Sequence, residues 1–398
     1  MNQRIGIDVG GTNTDAVLVD KDSVIGAIKT PTTKDITSGV RKALADLIEQ
    51  CGPRTHQVDS VMIGTTHFVN AVVQRRGLNK IASMRLTLPG SASLRSLVDW
   101  PKDLSTLVDG GQYGIAGGND YDGQEVVPLD EDAVASAARS MREDGITSVG
   151  ITGSFSPLNP DCEERAAAIV AGECPGIRIT CSHNLGRIGL LERENATLLN
   201  AALLDLADDT TDAFRQALDD SGIIAPLFIT LNDGTVSSAD TARKYPVYSF
   251  ASGPTNSMRG AAFLSGIEDG IVCDVGGTTT DIGCLVNGFP REANNVVEVG
   301  GVRTSFRMPD LVSIGIGGGT MVGDDMETVG PQSVGFMLTS QARVFGGQQL
   351  TLTDIAVGLG LMEVGDKALV ADLSAQSLKK VMNLAHQRIG DMVDRIKV

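Results

Sequence analysis

Two short stretches carry residue types suited to handling phosphate. Residues 5–19 read IGIDVGGTNTDAVLV and residues 271–285 read IVCDVGGTTTDIGCL. Asp-Val-Gly-Gly-Thr-x-Thr-Asp therefore occurs twice, and only Asn13 against Thr279 differs within it. Each copy is a β-branched run ending in Asp, a Gly-Gly-Thr turn and a second run opening with Asp, which is the pattern of a hairpin with a small-residue tip. The pairs Gly10-Gly11 and Gly276-Gly277 let a ligand approach the backbone closely. Exposed N–H groups and the side chains of Thr12, Asn13, Thr14, Thr278, Thr279 and Thr280 can then cradle phosphate oxygens. Asp8 and Asp15 bracket one tip, and Asp274 and Asp281 the other. Carboxylates there would repel a bare phosphate, so the pattern implies a cation, and Mg²⁺ is commonly held by one or two carboxylates plus phosphate oxygens. Asp8 and Asp281 are expected to hold Mg²⁺ through water. All four aspartates are catalytic candidates, with Asp15 and Asp274 the candidates for general base.

Three further loops are candidates. The run Ser313–Thr320, SIGIGGGT, lacks the G-x-G-x-x-G spacing of a dinucleotide fingerprint. It reads either as a third backbone-donor loop, through Gly317, Gly318 and Gly319, or as a plain turn. Ser252-Gly253-Pro254-Thr255 precedes a helix, where it forms either an anion site or an ordinary cap. Gly64-Thr65-Thr66-His67 also joins a strand to a helix, so Thr65, Thr66, His67, Ser252 and Gly253 are expected near a substrate. His67, one of four histidines, is weighed as an acid–base group against a merely packed ring. Arg187 and the Glu192-Arg193-Glu194 run read as a solvated helix face, with Asn195 and Asn200 beside its apolar stripe. H-E-x-x-H, C-x-x-C and G-x-S-x-G are all missing from the sequence, which argues against a structural zinc site and a serine triad.

These loops need rigid elements behind them. Helical spacing predicts helices over 38–51, 69–76, 130–144, 160–173, 187–207, 209–220, 256–265 and 376–396, with strands at 58–63, 148–152, 177–181 and 226–230. Residues 86–128, rich in Gly, Ser and Asp, are expected to form an irregular, partly β insertion. Alternating strands and helices predict an α/β architecture, and the repeated hairpins predict two similarly built halves. Domains are expected at 1–190 and 191–398. A chain of 398 residues with 42% hydrophobic residues is long enough for two or three cores. The net charge of −16, without a basic run, argues against nucleic acid and against an anionic membrane surface. Neither a signal peptide nor a spanning segment is apparent, and the six cysteines show no paired spacing, which together predict a cytoplasmic protein with reduced thiols.

The paired hairpins resemble those of the actin/hexokinase/Hsp70 superfamily, which implies two related actin-like (ribonuclease H-like) ATPase domains facing across a cleft that binds ATP. More narrowly, the chain resembles the A-type subunit of the hydantoinase/oxoprolinase family. The matching stretches are GIDVGGTNTDAVL (6–18), GTTHFVNAVVQRRG (64–77), DYDGQEVVPLDED (120–132), LLERENATLLNAAL (190–203), CDVGGTTTDIG (273–283), SIGIGGGT (313–320) and the LTLTD ending at Asp354. The resemblance implies ATP and Mg²⁺ as cofactors and ATP-dependent opening of a small cyclic amide such as a hydantoin or 5-oxoproline. It also implies a B-type partner subunit; self-association is left open. Relatives usually carry Asp-x-His before the glycine-rich run, where this chain has Asp310-Leu311-Val312, and longer relatives continue past Val398 into a segment that lies against adenosine. The resemblance therefore implies that ATP-coupled cleavage needs more than this chain. The alternatives on this fold are a small-molecule kinase and an ATP-driven activator of a partner protein.

Overall fold

The computed structural model describes residues 3–10, 13–31, 36–293 and 296–397. It divides into two compact units, Met1–Gly253 with Ala293–Met308, and Pro254–Glu292 with Pro309–Val398.

Unit 1 opens with β1 (Gln3–Val9), β2 (Asn13–Asp20) and β3 (Ser23–Pro31), an antiparallel meander. Then come α1 (Ile36–Cys51), β4 (Ser60–Thr65) and α2 (His67–Gln74). The middle of the unit holds β5 (Ile81–Leu88), α3 (Lys102–Val108), β6 (Asp109–Ala116), α4 (Glu131–Glu143), β7 (Ser148–Gly153), α5 (Asp161–Glu173) and β8 (Arg178–Cys181). It continues through α6 (Leu190–Ala202), α7 (Leu204–Asp220), β9 (Leu227–Thr230), β10 (Val236–Ser238) and α8 (Ala239–Lys244). The first sheet has the order β10-β9-β4-β1-β2-β3, with β4 and β9 parallel to β1. Burial alternates along β1, so Ile5, Ile7 and Val9 face a core shared with Leu44 and Leu47 of α1 and Phe214 of α7. Asp8 consequently lies on the opposite face. A second sheet, β6-β5-β7-β8, is wholly parallel and is covered by α4 and α5 through Val134, Met141, Ala166 and Val170.

Unit 2 begins within α9 (Ser252–Ser265) and carries the second hairpin, β11 (Gly270–Val275) with β12 (Thr280–Val286). The short β13 (Phe289–Pro290) follows, and β14 (Val297–Val299) pairs with β15 (Val302–Thr304) inside the segment returned to unit 1. In unit 2, β16 (Leu311–Ile314) pairs antiparallel with β12, and β17 (Thr320–Val322) pairs with β18 (Val329–Ser333). Helices α10 (Leu338–Gln341), α11 (Leu352–Gly358) and α12 (Ala375–Ile396) complete it. Ser374 caps α12 by accepting from the Ser377 N–H at 3.1 Å, and Leu378, Val381 and Ala385 form its buried stripe. Among the described strands, β11 has a neighbour on one side only, whereas its counterpart β1 lies between β2 and β4.

The expected boundary at residue 190 separates sequence regions and does not coincide with the division into compact units, and two further expectations need correction. The expected domain break near residue 190 falls inside unit 1, because α6 packs Leu198, Leu199 and Ala202 into the same core as Phe68, Leu104 and Phe250. The expected helix 187–207 is interrupted at Leu203, whose N–H donates to the Asn200 carbonyl, and α7 runs from the core of α6, at Ala207, to the core of the first sheet, at Phe214. Residues 86–128 are less irregular than their composition suggests, since β6 is a strand of the parallel sheet. Its Gly110 lies so close to the Ile81 carbonyl and the Ile146 side chain that a Cβ would stand 3.0 and 2.6 Å from them. Glycine there marks close packing rather than a loop.

Candidate active site

Both hairpins close in the same way. The Gly10 N–H donates to the Asn13 carbonyl at 3.0 Å, and the Gly276 N–H donates to the Thr279 carbonyl at 2.8 Å. In each register the two aspartates are direct cross-strand partners, Asp8 with Asp15 and Asp274 with Asp281. Like charges placed directly opposite repel one another. The neighbouring strand answers differently in the two units. In unit 1, Lys29 of β3 lies opposite Asp15 and pairs with it at 3.2 Å. In unit 2, Ser313 of β16 lies opposite Asp281 and donates a hydrogen bond to it. Burial, and then the Asp274 charge, hold the Asp281 carboxyl above its usual range, against the Ser313 bond that lowers it. That row suits a divalent cation, which would offset the repulsion that the serine leaves. Asp281, one of the four catalytic candidates, therefore has a carboxyl that its surroundings perturb.

The glycine-rich run acts one layer behind the second tip. The Gly318 N–H donates to the Gly276 carbonyl at 3.0 Å, and the Gly319 N–H to the Gly277 carbonyl at 2.7 Å. The Gly317 N–H is taken by Thr320 Oγ1 at 2.8 Å. These three N–H groups are therefore spent within unit 2, which corrects the expectation that Gly317, Gly318 and Gly319 supply donors to a ligand. Their effect is indirect. In a trans peptide the carbonyl of one residue and the N–H of the next point opposite ways. Tying down the Gly276 and Gly277 carbonyls thus aims the Gly277 and Thr278 N–H groups away from the loop. Among the described residues, neither of these N–H groups has a protein acceptor, and both residues are exposed. The result is a pair of adjacent, oriented donors, the kind of concavity that binds anions. The loop is itself fixed by Thr353 of α11, whose N–H and hydroxyl both donate to the Gly318 carbonyl at 2.9 Å.

Two expected phosphate ligands face the wrong way. Thr14 and Thr280 are fully buried, and the Thr280 hydroxyl donates to the Ile316 carbonyl at 2.6 Å. Each precedes its aspartate by one residue, so the period of two sends it to the opposite face. Thr278 is exposed, while Asn13 and Thr279 are half-buried at the tips. Gly11 and Thr12 lie outside the described residues.

The expected substrate loops meet within unit 1, with a structural result. Ser252 Oγ accepts from the Thr65 N–H at 3.0 Å and donates to the Thr65 carbonyl at 2.8 Å. Thr65 Oγ1 accepts from the His67 N–H, and Thr66 Oγ1 accepts from the Asn70 amide. Thr65 and Ser252 are buried, and the Ser252 hydroxyl ties the two loops together while the Thr65 hydroxyl caps its own loop at His67. Gly253 packs against Thr66, and a Cβ there would stand 3.2 Å from its methyl group. Burial lowers the pKa of the half-buried His67, which favours its neutral form.

The charge run on α6 is not a solvated face. Arg85 grips Glu194 through two nitrogens, and both side chains are buried. Arg193 is fully buried and donates to Ser182 Oγ and to the carbonyls of Gly153, Arg187 and Ile188. Asn195 bonds Trp100, Asp99 and the Arg303 carbonyl.

Comparison with known proteins decides the family. Residues 4–174 match the hydantoinase/oxoprolinase N-terminal region, and residues 193–394 match the hydantoinase/oxoprolinase domain. The chain belongs to the hydantoinase/oxoprolinase family. Relatives in this family include the caprolactamase subunit alpha of Pseudomonas jessenii, 27% identical over 91% of this chain and 55% of that protein. The acetophenone carboxylase gamma subunit of Aromatoleum aromaticum is likewise 27% identical, over 89% of this chain and 53% of that protein. The crystal structure of the ATP-dependent caprolactamase from Pseudomonas jessenii superposes with a TM-score of 0.80 at 24% identity, covering 99% of this chain and 63% of that one. The fold is the α/β, actin-like ATPase type expected of the family. The chain spans little more than half the length of the curated relatives it matches. No described helix is long and apolar enough to cross a membrane.

Proposed function

We propose that this chain is the ATP-handling part of an enzyme that opens a cyclic amide of the lactam or hydantoin type, with Mg·ATP activating the ring carbonyl and a B-type subunit completing the hydrolysis. The observation that carries this reading is the pair of hairpins closed by the same Gly N–H bond, with aspartate opposite aspartate in each. Phosphoryl transfer asks for positioning and charge neutralisation more than for covalent chemistry by the protein. In unit 2 the Gly277 and Thr278 N–H groups would receive phosphate oxygens, and Asp281, with Asp274 opposite, would hold Mg²⁺, which would supply charge neutralisation there. In unit 1 Asp8, Gly10 and Asn13 would do the equivalent work, with Lys29 paired to Asp15. The raised pKa of Asp281 is consistent with a carboxylate waiting for a cation, and also with a group able to take a proton in the reaction.

The carboxylase relative favours a second reading. A lactam and a ketone both present a carbonyl oxygen that ATP can activate, so the same phosphate machinery would serve carboxylation of a ketone. Purified chain, alone and with a co-expressed B-type subunit, should be assayed for ADP formation against caprolactam, hydantoin, 5-oxoproline, and acetone with bicarbonate. Cyclic-amide-dependent ADP formation that requires the partner is expected, with slow ATPase at most from the chain alone. Turnover only with ketone and bicarbonate would establish the second reading, and stoichiometric ring opening by the chain alone would overturn the partner requirement.

A further inference from the structure

Residues 350–354, the LTLTD run, exchange no hydrogen bond with either hairpin among the described residues, yet they lie along the glycine-rich loop behind the second tip. The Val322 N–H donates to the Leu350 carbonyl at 2.8 Å, and Met321 bridges Thr351 antiparallel. Asp354 is the fully buried hub of the run. Its Oδ2 accepts from the Thr351 N–H at 2.7 Å and from the Thr351 hydroxyl at 2.8 Å, and its Oδ1 accepts from the Val344 N–H at 2.7 Å. Thr351 and Asp354 thereby form the capping box of α11, which satisfies the N–H groups of both. Thr353 stands between them, and its N–H has no partner inside the helix. That N–H donates to the Gly318 carbonyl at 2.9 Å, and the Thr353 hydroxyl donates to the same oxygen at 2.9 Å.

Two bonds on one carbonyl fix the plane of the peptide between Gly318 and Gly319. This peptide and the one between Gly277 and Thr278 are both trans, so the carbonyl and N–H of each point in opposite directions. Holding the Gly318 carbonyl from one side therefore aims the Gly319 N–H to the other, where it donates to the Gly277 carbonyl at 2.7 Å. That carbonyl shares its peptide with the Thr278 N–H, which is turned outward in consequence. Thr353 is thus linked to the Thr278 N–H through two successive peptide planes. The Gly277 N–H is braced by a different route. Its peptide is held at the Gly276 carbonyl by the Gly318 N–H, and the peptide carrying that N–H is held at the Gly317 carbonyl by the Thr320 N–H at 3.0 Å. One donor of the tip therefore depends on a side chain of α11, and the other on the backbone at the start of β17.

We infer that Thr353 is a positioning residue for the phosphate loop of unit 2, and that the LTLTD run serves binding by aiming the Thr278 N–H without meeting the nucleotide. This role rests on the reading that the Thr278 N–H receives a phosphate oxygen. The geometric half is tested in the apo chain, labelled with ¹⁵N-threonine and ¹⁵N-glycine. The Thr278 amide, assigned by its loss in Thr278→Ser, should move in Thr353→Val, and the Gly277 amide, assigned by its loss in Gly277→Ala, should move less. Thr353→Ser keeps the hydroxyl and should leave both amides near their wild-type positions. Isothermal titration should show Mg·ATP bound about three- to tenfold more weakly by Thr353→Val and within about twofold of wild type by Thr353→Ser, as expected when one neutral hydrogen bond is lost or kept. Thr353→Ala also removes the hydroxyl, without a β-branch in the helix, and carries the test if Thr353→Val fails to fold. An unmoved Thr278 amide, equal movement of the Gly277 amide, or a Thr353→Val chain that melts lower yet binds Mg·ATP as the wild type does would each overturn the positioning role alone. A wild-type chain that does not bind Mg·ATP would overturn the nucleotide reading, and the binding role of Thr353 with it, whatever the amides show.

Discussion

Gly277 separates a folding role from a binding role at a single atom. A Cβ built there meets nothing within 4 Å, and its backbone is not in the left-handed region. Gly277→Ala should therefore leave the folded state unstrained, and the loss of unfolded-chain entropy should stabilise it by about 0.4–1 kcal/mol. At roughly 2–4 °C per kcal/mol for units of this size, the apo melting temperature should stay level or rise by up to about 4 °C. The added methyl, however, stands beside the Gly277 and Thr278 N–H groups, where a phosphate oxygen must come within hydrogen-bond distance. Losing one charge-assisted bond costs about 1.5–3 kcal/mol, so Mg·ATP should bind at least tenfold more weakly. Gly317→Ala is the contrasting variant. Its Cβ would lie 2.6 Å from the Gly276 carbonyl oxygen and 2.8 Å from the Thr278 nitrogen. Both are backbone atoms, and relief requires moving the hairpin tip at about 1–3 kcal/mol. That variant should lose both melting temperature and affinity. Scanning calorimetry gives the first quantity and isothermal titration with Mg·ATP the second. Gly277→Ala binding Mg·ATP as the wild type does would refute the idea that these N–H groups face the nucleotide.

Two further outcomes follow from the side chains. Because the Asp281 carboxyl is raised in the folded state, the folded chain holds its proton to higher pH than the unfolded chain, and stability is lost as pH rises through the folded pKa. Asp281→Asn should remove that loss, giving an apo melting temperature at neutral pH equal to or above the wild type; a clear drop would mean that the carboxylate is structural. Arg85→Met strands the buried Glu194 charge and should cost about 3–5 kcal/mol in urea unfolding, with Arg85→Met/Glu194→Gln recovering much of it; equal costs for the single and double variants would contradict the pairing.

The hairpins were legible because everything that makes them is local: a β-branched run, a small-residue turn and aspartates symmetrically placed. Counting alternate residues from Asp15 and Asp281 would also have shown that Thr14 and Thr280 point inward. The role of Gly317–Gly319 was not legible, since their acceptors, Gly276 and Gly277, lie some 40 residues earlier in the chain. Charge runs mislead for the same reason. Glu192-Arg193-Glu194 has the composition of a wet helix face, but Arg85 lies 109 positions from Glu194 and buries it. The division into compact units escaped sequence reading as well, because Ala293–Met308 leaves the second unit and packs Val299, Val302 and Phe306 into the core of the first.

The central claim is that both hairpins bind the phosphates of ATP through a cation. Isothermal titration of ATP into the chain, with and without Mg²⁺, and into Asp8→Asn/Asp281→Asn, tests it most directly. Binding should require Mg²⁺ and should vanish in the double variant while its apo melting temperature stays nearly unchanged. Magnesium-independent binding, or a double variant that binds as the wild type does, would contradict the claim.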